Sequence, residues 1–213
     1  MIRLVADSSC DVYTLPGVDF RAVPLHISTD DGRAFIDDPE LNVGEMVDCL
    51  HSYRGRSYTA CPSVAAWLEA FEGADTVYAV TITSGLSGSY NSAKVAADLY
   101  QQASPEASVH VFDSLSTGPE EFLLLEKLRE LVNAGLEFEE VIRQAEDYMR
   151  HTRLFFSLHS LHNLAQNGRI GKVTAAAVSV MNIRVIGTAS PEGTLATIGK
   201  ARGDKRAEAV ILE

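Results

Sequence analysis

Residues Thr76–Ala97 read TVYAVTITSGLSGSYNSAKVAA. The stretch opens on an apolar, β-branched run, Val77 to Ile82, and closes on helical spacing from Tyr90 onward. Between them, Thr83-Ser84-Gly85-Leu86-Ser87-Gly88-Ser89 is a turn of hydroxyls and glycines. A strand that enters a helix through such a turn leaves unpaired backbone N–H groups at the helix start. Those groups, with the helix dipole behind them, favour an anion. Ser84, Ser87 and Ser89 add side-chain donors, and Gly85 and Gly88 let a ligand approach the backbone. The stretch reads as the centre of an anion site, for a carboxylate or a phosphate. The alternative is that Ser87 or Ser89 only N-caps the helix.

On either side the chain alternates short apolar strands with helices. Ile2–Ala6 is a buried-type strand ending in Asp7-Ser8-Ser9-Cys10-Asp11. Arg21–Ile27 is a second strand, weakened by Pro24. Thr29-Asp30-Asp31-Gly32 is a hairpin turn into Arg33–Ile36. Asn42–Tyr53 has helical spacing with Asn42 as N-cap, and Thr59-Ala60-Cys61-Pro62-Ser63 is a loop. Ser63 starts a helix with Ala65, Ala66, Leu68 and Phe71 on its apolar face, stopped by Gly73. Val109–Phe112 is a strand ending in Asp113-Ser114. Glu120–Asn133, with leucines at 123, 124, 128 and 131, and Phe138–His151 are helices. Such repeats predict a parallel sheet of βαβ units.

After His151 the pattern changes. Leu154–Leu158 reads as a strand, Ser160–Asn167 as a short helix and Ile170–Met181 as a small, apolar helix. Ile183–Ala189 and Thr194–Lys200 flank the hairpin signal Ser190-Pro191-Glu192-Gly193, and a helix begins at Asp204. The expected fold class is α/β: a parallel-sheet domain over residues 1–151, then a smaller, partial α+β domain over 152–213.

Length and charge bound the function. At 213 residues the chain is long enough for one large domain or two modest ones. A formal net charge of -11 argues against general nucleic-acid affinity and against unaided adsorption to anionic membrane. Three cysteines, Cys10, Cys49 and Cys61, form no CxxC pair, so reduced thiols in a cytoplasmic protein are the expectation. No apolar run approaches the length that crosses a bilayer, and no signal peptide is read at Met1–Ala6.

Asp7-Ser8-Ser9, Thr83-Ser84-Gly85 and Asp113-Ser114 each follow a buried strand. In an open parallel sheet all three fall on the carboxyl edge, where α/β proteins bind ligands. The chemistry there is a set of donors without a convincing nucleophile–base pair. Gly85-Leu86-Ser87-Gly88-Ser89 departs from G-x-S-x-G at its last position, and nothing ties His159 or His162 to Ser87. Neither a P-loop nor a dinucleotide motif is present. Asp7 and Asp113 are expected to organise loop hydroxyls and amides rather than a metal, and no cofactor is expected. Arg169, Lys172, Arg184, Lys200, Arg202, Lys205 and Arg206 concentrate positive charge in the C-terminal part, either as a solvated face or as a dock for an acidic partner.

In order along the chain stand DSSCD, T-x-x-PS at Thr59–Ser63, ITSGLSGSYNSA at Ile82–Ala93, VFDS at Val111–Ser114, NGRIGK at Asn167–Lys172 and GKARGDKRA at Gly199–Ala207. Together, over essentially the whole chain, they resemble the DegV family of bacterial fatty-acid-binding proteins. The resemblance implies two α/β domains holding a long-chain fatty acid. Hydroxyls of the T-x-x-PS and SGLSG segments, here Thr59, Ser63, Ser84 and Ser87, with Gly85 and Gly88, would grip its carboxylate. It further implies delivery of the acid to a fatty acid kinase catalytic subunit, with Arg169 and Arg202 as docking or transfer residues. On that view the protein is a carrier and not an enzyme. Ala175-Ala176-Ala177-Val178 and the leucines of Glu120–Leu131 are either tunnel walls or plain core.

The sequence also departs from the family. Cys61 replaces a polar residue before the proline, and Ala60 replaces a serine. Thr117-Gly118-Pro119-Glu120-Glu121 brings two acids where small and apolar residues are usual. The chain stops at Leu212-Glu213, several tens of residues short of typical members, as a truncated product or a shortened member. Two alternatives stay open: a serine hydrolase acting on small esters through Ser87, and an interaction module built on the basic cluster.

Overall fold

The computed structural model describes residues 1–170 and 182–213. The expected helix beyond Ile170, with Lys172 and Ala175-Ala176-Ala177-Val178, lies outside the described residues.

Four strands form the central sheet: β1 (Ile2–Asp7), β2 (Asp19–Val23), β6 (Thr76–Thr81) and β7 (Ser108–Asp113). They run in the order β2-β1-β6-β7 and every pair is parallel, as the βαβ reading predicts. Successive side chains alternate faces, and both faces are covered. Leu4, Ala6, Tyr78 and Val80 pack beneath α4 (Pro119–Asn133) and α5 (Phe138–Met149), against Leu124, Leu125, Leu128 and Val141. Val5, Val77, Ala79 and Val111 face α2 (Val64–Phe71) and α3 (Ser89–Ala103), against Trp67, Phe71 and the small stripe Ala93, Ala96 and Ala97. Leu124, Leu125 and Leu128 are each essentially fully buried, worth about 2 kcal/mol apiece in transfer terms.

Arg3 ties this sheet to its neighbours. Its guanidinium donates to Asp19 Oδ2 on β2 at 2.8 Å and to the carbonyls of Ala70 and Glu72 at the end of α2.

Where one strand is expected over Arg21–Ile27, the structure has two. Pro24 has no N–H to donate to a ladder, and the chain leaves the parallel sheet there. It re-forms as β3 (His26–Thr29) in a second, antiparallel sheet of order β4-β3-β5. β4 is Ala34–Ile36, joined by the expected hairpin with Gly32 at φ +91°. β5 is Ser57–Ala60, so Thr59 and Ala60, expected in a loop, are paired strand residues. α1 (Val43–Ser52) starts as predicted on Asn42, whose side chain accepts from the Glu45 amide.

Two helix faces are rotated from the expected ones. On α2 Ala65 is exposed, and Trp67 and Ala70 are buried instead. On α4 Leu123 is 43% exposed while Leu125 is buried. Beyond α5, β8 (Phe155–Leu158), β9 (Ile183–Ala189) and β10 (Leu195–Arg202) form a third, antiparallel sheet of order β10-β9-β8. The short α6 (His162–Gln166) follows β8, and α7 (Asp204–Leu212) covers one face of this sheet through Ala207 and Ile211 against Ile186 and Ala201.

Candidate functional site

Because β1, β6 and β7 are parallel neighbours, their polar ends meet at one edge. The two aspartates there hold the loops. Asp7 Oδ2 accepts from the Ile82 amide at 3.1 Å and from the Ser89 hydroxyl. Asp113 Oδ1 accepts from the amides of Ser84 at 3.0 Å and Leu115 at 3.2 Å. Among the described residues no three His, Cys, Asp or Glu side chains gather as metal ligands.

The turn from β6 to α3 is wound on Thr83. Its carbonyl accepts from the amides of Leu86 and Ser87, and its hydroxyl accepts from the Gly85 amide at 3.1 Å. Ser87 Oγ accepts from the Ser89 amide at 3.2 Å, while the N-cap position itself is Gly88, with no side-chain cap. Ser89 is buried and committed to Asp7. Among the described residues the amides of Gly88, Tyr90 and Asn91 have no acceptor. The helix start therefore presents open donors with the dipole of a 15-residue helix behind them. Ser84 is exposed and Ser87 half-buried.

Three segments close on this turn. The β9–β10 hairpin tip lies against Gly85: a Cβ there would stand 2.8 Å from the Gly193 carbonyl oxygen. That carbonyl accepts from Thr83 Oγ1 at 2.8 Å. The second segment brings Cys61 to Gly88, where a Cβ would meet the sulfur at 3.3 Å. The close approaches these glycines permit are thus made, in part, by the chain itself. Arg169 closes the third side, donating from Nε to the Leu86 carbonyl at 3.1 Å and from Nη1 to the Asn167 carbonyl at 2.8 Å.

Ser84, Gly85, Ser87, Gly88 and Arg169 are brought together around one turn. Ser63 is exposed and its oxygen caps α2 by accepting from the Ala66 amide at 3.2 Å. Thr59 is exposed on β5, opposite Ile27 and two residues before Cys61, and makes no hydrogen bond to the turn among the described residues. Arg202 is exposed at the other end of β10, an 8-residue strand, about 23 Å along it from Leu195. It is not part of the cluster. His159 reaches Asp204 at 3.2 Å, and no imidazole contacts Ser87 among the described residues.

Beside the hairpin tip opens a cleft of about 760 Å³, with Leu115, Met149, Leu154, Phe155, Ala189 and Pro191 among its walls. The α4 leucines at 124, 128 and 131 are core.

The sequence flags Glu121 only as an acid where small and apolar residues are usual; its burial beneath the site goes unread there. Glu121 is fully buried and bonded through Ser9 to Asp7. Burial raises the pKa of both acids, and Glu121 is pushed well above the usual carboxylate range with the charge of Asp7 as a further cause. The neighbouring Cys10 thiol is pushed up to about 12 by burial. The signal for Glu121 was its phase: it continues the stripe of Leu124, Leu128 and Leu131 by one turn.

The family model described as "Uncharacterised protein, DegV family" matches residues 1–213. A DegV domain-containing protein of Streptococcus pneumoniae is 43% identical over 208 residues, 96% of this chain and 74% of that protein. Among solved structures, a DegV family protein from Eubacterium eligens loaded with heptadecanoic acid is 52% identical with TM-score 0.96, over 100% of this chain and 76% of that one. The Streptococcus pneumoniae Fatty Acid Kinase (Fak) B3 protein loaded with linoleic acid is 42% identical with TM-score 0.95, over 99% of this chain and 76% of that one.

Proposed function

The chain belongs to the DegV family, and on that premise we propose that it is a fatty-acid carrier whose anion site is the start of α3. The observation that carries this reading is the set of open amides at Gly88, Tyr90 and Asn91, beside the exposed Ser84 hydroxyl, in a chain whose structural neighbours hold fatty acids. A carboxylate leaving water needs compensation, and several N–H and O–H donors supply it without a full ion pair. Thr59, Ser63, Ser84 and Ser87 are the hydroxyls assigned to that head group. An acyl tail hidden from water gains about 0.8 kcal/mol per methylene, which supplies most of the affinity.

The same reading gives the basic residues their role. The chain holds its cargo and presents it to a kinase partner, with Arg169 beside the anion site as the docking or transfer residue and Arg202, at the far end of β10, as a separate docking contact. Residues 1–151 and 152–213 act as the two lobes that meet at the site. Presenting a carboxylate requires no nucleophile of its own, and among the described residues no imidazole contacts Ser87. Mass spectrometry of gently extracted protein should find one fatty acid per chain. Titration with heptadecanoate should show a loss of about a hundredfold or more for Thr59→Ala combined with Ser87→Ala, in line with two charge-assisted hydrogen bonds. A chain that carries no acid and takes up none refutes the carrier role. Labelling of Ser87 by a serine-directed phosphonate, with ester turnover, would replace it by a hydrolase.

A further inference from the structure

Glu121 stands in the first turn of α4 and is 0% exposed. Its Oε1 lies 2.7 Å from Ser9 Oγ, and its Oε2 has no hydrogen-bond partner among the described residues. Ser9 Oγ also contacts Asp7 Oδ1, and Asp7 is likewise 0% exposed. Asp7 in turn accepts from the Ile82 amide and from Ser89 Oγ, on the first residue of α3, between the open amides of Gly88 and Tyr90.

A serine hydroxyl has one hydrogen. It can be donated to Asp7 or to Glu121, but not to both, so one of the two contacts needs a second hydrogen. Among the described residues no cation supplies the balance. The charged and titratable groups around Glu121 are Asp7 from β1, Asp11 and Cys10 from the turn that follows it, and Glu120 on its own helix, which accepts from Ser116 Oγ. Two buried carboxylates with no positive partner are not sustained in a dry interior; one keeps its proton.

We propose that Glu121 is a positioning residue held as the neutral acid at neutral pH: it donates to Ser9, and Ser9 passes its own hydrogen to an ionised Asp7. Asp7 is the better site for the charge because three donors, Ser9, Ser89 and the Ile82 amide, converge on it. The chain Glu121–Ser9–Asp7 then fixes the exit of β6 and the first residue of α3 with one buried negative charge instead of two. An anion arriving at the helix start meets that single charge. The inference stands on this chain's own side chains and holds whatever the ligand is.

The linkage has a definite sign. A glutamate that stays protonated in the fold but ionises in the unfolded chain favours folding at low pH and loses that advantage as pH rises above its ordinary range. Urea unfolding of the wild type and of Glu121→Gln, which keeps a donor toward Ser9, should be compared from pH 5 to 8. The ratio of folding constants should move in favour of the glutamine variant by about tenfold per pH unit over the range in which Glu121 keeps its proton. A flat ratio means that Glu121 ionises in the fold and overturns the proposal. If the variant fails to fold, infrared spectra of the wild type decide. A buried carboxylic-acid band that persists at pH 7 supports the proposal, and its absence overturns it. Heptadecanoate binding by the wild type is scored separately, so loss of the carrier role and loss of the proton assignment are distinct results.

Discussion

Thr83→Val is the substitution that best isolates the join between the serine-glycine turn and the β9–β10 hairpin. Valine keeps the shape and removes one hydroxyl. That hydroxyl, at a residue 1% exposed, donates to the Gly193 carbonyl at 2.8 Å and accepts from the Gly85 amide at 3.1 Å. The Gly193 carbonyl is left unpaired in a buried contact, at about 1–2 kcal/mol. The Gly85 amide is nearer solvent and costs about half as much. The sum, about 2 kcal/mol, is a factor of roughly 30 in the folding constant. With a urea dependence of about 2–3 kcal/mol per molar, the midpoint falls by roughly 0.7–1 M. Trp67, the single tryptophan and fully buried, reports the transition by fluorescence. Thr83→Ser keeps both bonds and is the control. The Gly85 amide should also exchange faster in Thr83→Val alone. If valine and serine variants unfold within about 0.5 kcal/mol of each other, with equal Gly85 exchange, the hydroxyl does not join the two segments and the reasoning fails.

Two further outcomes test the scaffold. Arg3→Ala should cost about 3 kcal/mol, because a nearly buried guanidinium loses three partners on β2 and α2 at once, and a thermal scan should show Tm lower by roughly 6–12 °C. His110, packed edge-on to Phe112, has its pKa lowered by burial, so its neutral form belongs to the fold. Its contribution is present at neutral pH and lost as pH falls through the unfolded value near 6.5 toward the folded one. The stability gap between wild type and His110→Asn should narrow on acidification, and a ring titrating above 6.5 by NMR would contradict this.

Much of the scaffold is legible in one dimension because its signals are local and strong. The apolar runs of β1, β6 and β7 read as buried parallel strands, and Asn42 and Ser63 both cap the helices they precede. Errors come where a local signal has two solutions. Pro24 reads as a weak point in one strand, but the lost donor instead divides two strands between two sheets. On α4 the leucines at 123 and 125 are equally apolar, and only packing against the sheet chooses Leu125. On α2, Ala65 suits either side of the helix, whereas the volume of Trp67 has to be buried.

The sequence alone determined that a turn rich in hydroxyls and glycines joins a buried strand to a helix, and that helix geometry leaves open amides there. It also determined that the strands whose ends surround that turn run parallel, while their order, β2-β1-β6-β7, came from the tertiary structure. Tertiary structure decided what faces it. Gly193 reaches Thr83 across 110 residues of chain, Arg169 reaches Leu86 across 83, and Glu121 reaches Ser9 across 112. No periodicity or capping rule encodes such pairings, because each depends on where whole elements pack. Burial at that junction, which no single segment specifies, is what pushes the Glu121 carboxyl well above the usual carboxylate range.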